Sequence, residues 1–214
     1  MKRILILAGD FVDDYELMVP FASLKMLGYD VDIISPGRDK GDRIKTAIHA
    51  ISNEDWKLVR RGKPVTYSES LGHPFTIGNG FDWENIEAET RRYDGLILPG
   101  GRAPEYLSLL PEVRKLVIQF MKDDKPIGAI CHGPQILANA DAFSDDIEYL
   151  REKKMCPYPS IALECSLLGA KIENDYPPNI AITDGNLVTS PSWLGLPEFM
   201  KQYVRLLNNQ RTLF

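Results

Sequence analysis

Cysteine and histidine are both scarce in this chain, three of each in 214 residues. Cys131, Cys156 and Cys165 are irregularly spaced and form no CxxC, which excludes a disulfide framework and a thioredoxin-like motif. So few thiols fit a reducing, cytoplasmic setting. His49, His73 and His132 are scattered, and no His/Asp/Glu set has metal-ligand spacing, so no metal centre is expected. Lys and Arg never run beyond two in succession and the net charge is −5, which argues against a phosphate-binding face and a nucleic-acid partner. No apolar stretch approaches the ~18 residues that span a bilayer, so no membrane partner is expected. The apolar core of the N-terminal segment is five residues, Ile4 to Ala8, where a secretory signal needs ~7–15. It reads as a buried strand. Repeats, low-complexity tracts and linkers are missing too, which predicts one domain over 1–214.

What is present is ordinary globular composition, 44% hydrophobic and 26% charged, with strand and helix signals in alternation. Arg3–Ala8, Tyr93–Leu98 and Pro126–Ile130 are short apolar runs suited to buried strands, Asp30–Ser35 alternates as a further strand, and Leu187–Ser190 reads as a strand pairing back after a turn. Leu17, Phe21, Leu24 and Leu27 recur at helical spacing after a cap at Asp13 or Asp14, and Gly28 ends the helix. Helices are also predicted over Pro111–Lys122, Pro134–Ala140, Ser160–Leu168 and Leu196–Leu207. Between Arg38 and Glu89 the signals are weaker. Short strands or hairpins decorating the sheet are expected there, with a turn at Arg60–Lys63 and loops at Gly72-His73-Pro74 and Gly78-Asn79-Gly80. Asp141–Lys154 reads as a surface helix or loop, with Phe143, Ile147 and Leu150 at helical spacing. Lys171–Glu173 and Ile180–Thr183 are further strand candidates, the latter turning back at Asp184-Gly185-Asn186. The alternation predicts an α/β fold, doubly wound and mostly parallel, with helices on both faces.

The strongest chemical signal is Gly128-Ala129-Ile130-Cys131-His132-Gly133-Pro134. A buried strand enters Cys131 and a helix leaves two residues later, with small residues two before and two after. This is a nucleophile elbow of the G-x-S-x-G type, with Cys for Ser and Ala for the first Gly. The turn lifts the sulfur out of the sheet's carboxyl edge, beside a helix N-terminus that favours thiolate. A buried structural cysteine is the commonest fate of this residue type, and Cys156 and Cys165 are read that way. The second signal is Leu98-Pro99-Gly100-Gly101-Arg102-Ala103-Pro104-Glu105. The Gly100 and Gly101 N–H groups can approach an oxyanion unhindered, although a plain βα turn looks the same. The third is Gly9-Asp10-Phe11-Val12-Asp13-Asp14-Tyr15-Glu16, which can supply a carboxylate or merely cap a helix. The His132 side chain is expected to diverge from Cys131 and its backbone N–H to serve as an oxyanion donor. His49 and His73 read as surface or turn residues, and Trp83 and Trp193 as core or rim packing with pocket lining as the alternative.

Together, Ala129–Gln135, Gly100–Glu105 and Tyr15–Pro20 resemble the ThiJ/PfpI superfamily, class I glutamine amidotransferase-like proteins of flavodoxin-like fold. Tyr67–His73 and the Gly-Asp-x-x-x-Asp-Tyr-Glu start are closest to its plant-type glyoxalase III branch, next to the PfpI intracellular proteases. The resemblance implies Cys131 as nucleophile, Glu16 as the acid that bonds the cysteine and shuttles protons, Glu105 as a nearby acid, and His132 as triad member in the protease reading. It implies no cofactor, a small-molecule substrate and a homodimer or higher homo-oligomer. The implied activity is conversion of small α-oxoaldehydes to hydroxy acids, or deglycation. A cysteine peptidase or amidase and a redox-sensing stress protein are the alternatives. Leu196 stands where plant-type relatives carry His, which makes a more apolar pocket with Trp193 the expectation.

Overall fold

A computed structural model of the chain describes residues 1–65, 68–173 and 175–208, the side chain of residue 53 excepted. Tyr67, part of the resemblance above, lies outside them.

The first half runs β1 (Arg3–Leu7), β2 (Val12–Asp13), α1 (Asp14–Met26), β3 (Asp30–Ile34), β4 (Arg43–His49), α2 (Asn53–Arg60), β5 (Glu69–Thr76), α3 (Ile86–Thr90), β6 (Gly95–Leu98) and α4 (Ala103–Leu107). The second runs α5 (Pro111–Lys122), β7 (Ile127–Ile130), α6 (Pro134–Ala142), β8 (Lys154–Met155), α7 (Ala162–Leu167), β9 (Lys171–Ile172), β10 (Ile182–Asp184), β11 (Leu187–Ser190) and α8 (Leu196–Leu207). The main sheet has the order β10-β11-β7-β6-β1-β3. Every neighbouring pair is parallel except β10 with β11. Helices α1 and α8 pack together on one face, and α5 and α6 on the other. The strands between them are buried on both faces, which is why they read as continuous apolar runs. The buried apolar side chains form one continuous cluster.

Parallel pairing brings the carboxyl ends of β1, β6, β7 and β11 to one edge. The segments that follow them carry Asp13 and Glu16, Gly100 and Gly101, Cys131, and Trp193 respectively. Helix α1 starts where Asp13 accepts the Glu16 N–H at 3.1 Å, so Asp13 is the cap and Asp14 is not. Asp14 instead accepts from the Thr46 hydroxyl and, at 2.8 Å, from the His73 backbone N–H.

The region from Arg38 to Glu89 differs from expectation. β4 and β5 do not decorate the main sheet; with β2 they form a separate three-stranded sheet. Gly72-His73-Pro74 is not a loop but lies within β5. β5 is an edge strand, the one place where a proline costs no ladder bond. Helix α2 was not expected; the capping box of Ser52 and Asp55 starts it. The strand at Lys171 pairs with β8, outside the main sheet. The segment after α6 is a loop. Asp141 anchors it by accepting the Tyr149 and Leu150 N–H groups at 2.6 and 3.0 Å. Leu150 is buried and Phe143 exposed, so the helical spacing there was accidental. No helix among the described residues is long and apolar enough to cross a membrane.

Candidate active site

Cys131 has a φ of 56°, the left-handed region that non-glycine residues enter rarely. Such a conformation persists only where the surroundings enforce it. Here the Cys131 N–H donates to Ser190 O at 2.8 Å and its carbonyl accepts the Tyr158 N–H at 3.0 Å, which fixes the peptide on both sides. A Cβ on Gly133 would collide with Leu98 O, so only glycine lets the helix leave this close to β6. The elbow expected from sequence is therefore present.

The Glu16 carboxyl is fully buried at the sheet's edge. Its Oε2 accepts the Gly100 N–H at 2.8 Å, and the Cys131 thiol and the Trp193 N–H also face it. Its Oε1 has no hydrogen-bond partner among the described residues. A Cβ on Gly100 would lie 2.7 Å from both Cys131 Cβ and Glu16 Oε2, so glycine is what lets acid and thiol share one floor. This corrects the role expected of Gly100: its N–H holds Glu16 and is spent. The Gly101 and His132 N–H groups point at the sulfur instead. Gly101 can do so because its φ is 76° and its α-carbon lies against the Phe11–Asp13 backbone.

Burial raises the pKa of both groups well above their ordinary values. The charge of Asp13 raises each further, and that of Glu16 raises the thiol. The pair therefore keeps at least one proton at neutral pH. The helix N-terminus and two amides favour thiolate, as expected from sequence, yet burial outweighs them.

The His132 side chain does not diverge from Cys131 as expected. Its Nδ1 lies 3.3 Å from Sγ, with the ring stacked on Tyr158 at 4.5 Å and Nε2 3.5 Å from Ser160 Oγ. The aromatic shelf bends the ring back over the thiol. Burial pushes the imidazole pKa down to about 4, so the ring is neutral.

These groups open into a cavity of about 100 Å³. Glu105 lines it beside Arg102, 3.5 Å away. So does His49, which sequence had assigned to the surface. Its Nδ1 lies 2.9 Å from Asp13 Oδ2 and its Nε2 3.1 Å from Glu69 Oε2. Trp193 is on the wall, its Nε1 donating to His49 O at 3.1 Å. Leu196 does not line the cavity; it is buried in the first turn of α8. Trp83 packs against Phe81. Cys156 and Cys165 are wholly buried, Cys156 donating to Thr189 O at 3.2 Å, as structural cysteines do. His73 remains exposed on the far side of Asp14. No group of three or more His, Cys, Asp or Glu among the described residues is placed to hold a metal ion.

Strand order, elbow and buried acid define the class: a flavodoxin-like α/β protein built around a thiol at its carboxyl edge. Residues 2–206 match the sequence model of the DJ-1/PfpI family, and the chain belongs to that family. It is 42% identical over 209 residues to protein DJ-1 homolog D of Arabidopsis thaliana, covering 98% of this chain and 48% of the plant protein. It is 30% identical to a deglycase of Pyrococcus horikoshii, over 97% of this chain and 99% of that protein. The chain thus spans about half the length of the plant relatives it matches. Among solved structures, Schizosaccharomyces pombe DJ-1 superposes with a TM-score of 0.67 at 20% identity, covering 99% of this chain and 93% of that one. Drosophila melanogaster DJ-1beta gives 0.69 at 18%, covering 96% and 90%.

Proposed function

We propose that the chain acts as a single-domain, cofactor-free thiol enzyme on small α-oxoaldehydes such as methylglyoxal, or on their adducts with amines as a deglycase. One observation carries this reading: a fully buried carboxyl, with one oxygen unpartnered among the described residues, shares the cavity floor with the elbow cysteine. Relatives from Pyrococcus horikoshii and Pyrococcus abyssi, 30% and 29% identical, are named deglycases, which supports the class of reaction. The small cavity suits a three-carbon substrate better than a peptide chain.

In this reading the Cys131 sulfur bonds the aldehyde carbon, and the carbonyl oxygen takes up the thiol proton beside the Gly101 and His132 N–H groups. The hemithioacetal so formed buries no net charge. Where the pair holds a single proton, passing it to the carbonyl oxygen leaves Glu16 as the carboxylate. Glu16 then removes the proton from the carbon bearing sulfur and returns it to the neighbouring carbon, while the hydroxyl proton passes from the oxygen of the first carbon to the oxygen of the second, which leaves the thioester of a 2-hydroxy acid. Water hydrolyses the thioester, releasing the hydroxy acid and the thiol; methylglyoxal plus water gives lactate.

The Cys131–His132 contact favours a second reading, a cysteine peptidase or amidase with His132 as base and Glu105 as its acid. A ring whose pKa is held to about 4 is a poor acceptor for a thiol proton, which ranks this reading second. Lactate formation from methylglyoxal, measured beside peptide hydrolysis, separates them. Glu16→Gln should lose ~10²–10⁴-fold in lactate formation, and Cys131→Ser all of it. An active Glu16→Gln enzyme would leave the oxoaldehyde reading without a base.

A further inference from the structure

His49 ends β4 with both ring nitrogens committed to carboxylates, Asp13 Oδ2 at 2.9 Å and Glu69 Oε2 at 3.1 Å. A neutral imidazole has one N–H and one lone pair, and the lone pair would face a carboxylate oxygen. Two such partners therefore select the doubly protonated ring. The side chain is enclosed, 16% exposed. Its backbone is tied as well, since Trp193 donates to His49 O and offers its own N–H to Glu16.

Asp13 shows what that charge is for. Its carboxylate is buried at the foot of α1. Its negative charge opposes ionisation of both Cys131 and Glu16. An uncompensated Asp13 would work against any negative charge on the sulfur.

We propose that His49 is a positioning residue: fixed as an imidazolium between Asp13 and Glu69, it cancels the field of Asp13 and lets negative charge develop on Cys131. The inference rests on Cys131 being the reacting thiol, but not on which substrate it takes. The charged groups facing His49 are few. Asp13 approaches from the β2–α1 junction and Glu69 from β5. Arg102, from the loop before α4, lies 3.8 Å from Glu69. His132 stands across the cavity, held neutral in part by the charges of His49 and Arg102. Asp14 and His73 line a second cavity behind the ring. Burial draws the pKa of His49 down; the two carboxylates outweigh it and the net shift is upward.

The test is the pH dependence of Cys131 alkylation by iodoacetamide, read by peptide mass spectrometry on the whole chain. His49→Asn should move the midpoint up by about one pH unit, about tenfold slower labelling at neutral pH. The double variant Asp13→Asn/His49→Asn should return close to wild type, because the charge that needed cancelling is gone. Asn still caps α1 there. A purely structural His49 predicts the opposite: the double variant would be worse than the single, and a loosened cavity would label faster. An unmoved midpoint in His49→Asn, or no recovery in the double variant, overturns the proposal. Wild-type Cys131 that resists labelling at every pH would instead overturn the reactive-thiol reading beneath it.

Discussion

Two histidines in one cavity titrate in opposite directions, and each leaves its mark on stability. His132 is depressed from 6.5 to about 4 by burial. Below pH 6.5 the unfolded chain binds a proton that the folded one refuses, so stability falls as pH drops toward 4. The full shift corresponds to up to about 3 kcal/mol. His132→Gln should flatten that fall, as urea unfolding at pH 7 and pH 4.5 would show. His49 is raised by its carboxylates, so its contribution is complete below its ordinary 6.5 and fades as pH rises through the higher folded value. At Gly133 the demand is steric. Gly133→Ala would drive a methyl into Leu98 O, a backbone atom that cannot yield. A cost of about 1–3 kcal/mol is expected, with loss of thiol reactivity as the elbow shifts. Cys131 and Gly133 were readable because they sit in a local pattern, whereas Glu16, which the local pattern reads equally as a helix cap, was picked out only by the family resemblance. His49 was not readable, because its partners Asp13 and Glu69 lie 36 and 20 residues away. Gly100 was half readable: a free N–H was inferred, but the acid that occupies it arrives from 84 residues earlier.

At the scale of elements, legibility followed apolar period. α5 and α8 appear at the bounds their spacing predicts, Pro111–Lys122 and Leu196–Leu207, since each lays one apolar stripe on the sheet. Lone apolar residues in the loop after α6 mislead. Leu150 is wholly buried and Phe143 is 65% exposed against Arg114. Leu150→Ala should therefore cost about 2–5 kcal/mol, and Phe143→Ala less than about 1 kcal/mol, both measurable by urea unfolding. The small sheet was illegible for another reason. Its pairing is tertiary, joining β2, β4 and β5 across intervening elements, while Gly72 and Pro74 carry the local marks of a loop. Context overrode propensity there.

At the scale of the whole molecule, the resemblance implies self-association. Light scattering at micromolar concentration is expected to give at least a dimer, and a 24.2 kDa species would refute it. The fold class was legible because βα alternation in one order leaves few topologies. The division of the molecule into two sheets was not. That division separates labour. Cys131, Gly101 and Glu16 stand at the edge of the main sheet, whereas His49 and Glu69 come from the small sheet laid over it. The Cys131–Glu16 pair and one side of the cavity wall thus belong to different pieces of scaffold. A change of loop or residue in the β4–β5 hairpin can redraw what enters the cavity while the elbow beneath keeps its strained backbone and its shared proton. Diversification in such a molecule has an inexpensive route: one short antiparallel ribbon can drift while the reactive floor stays still.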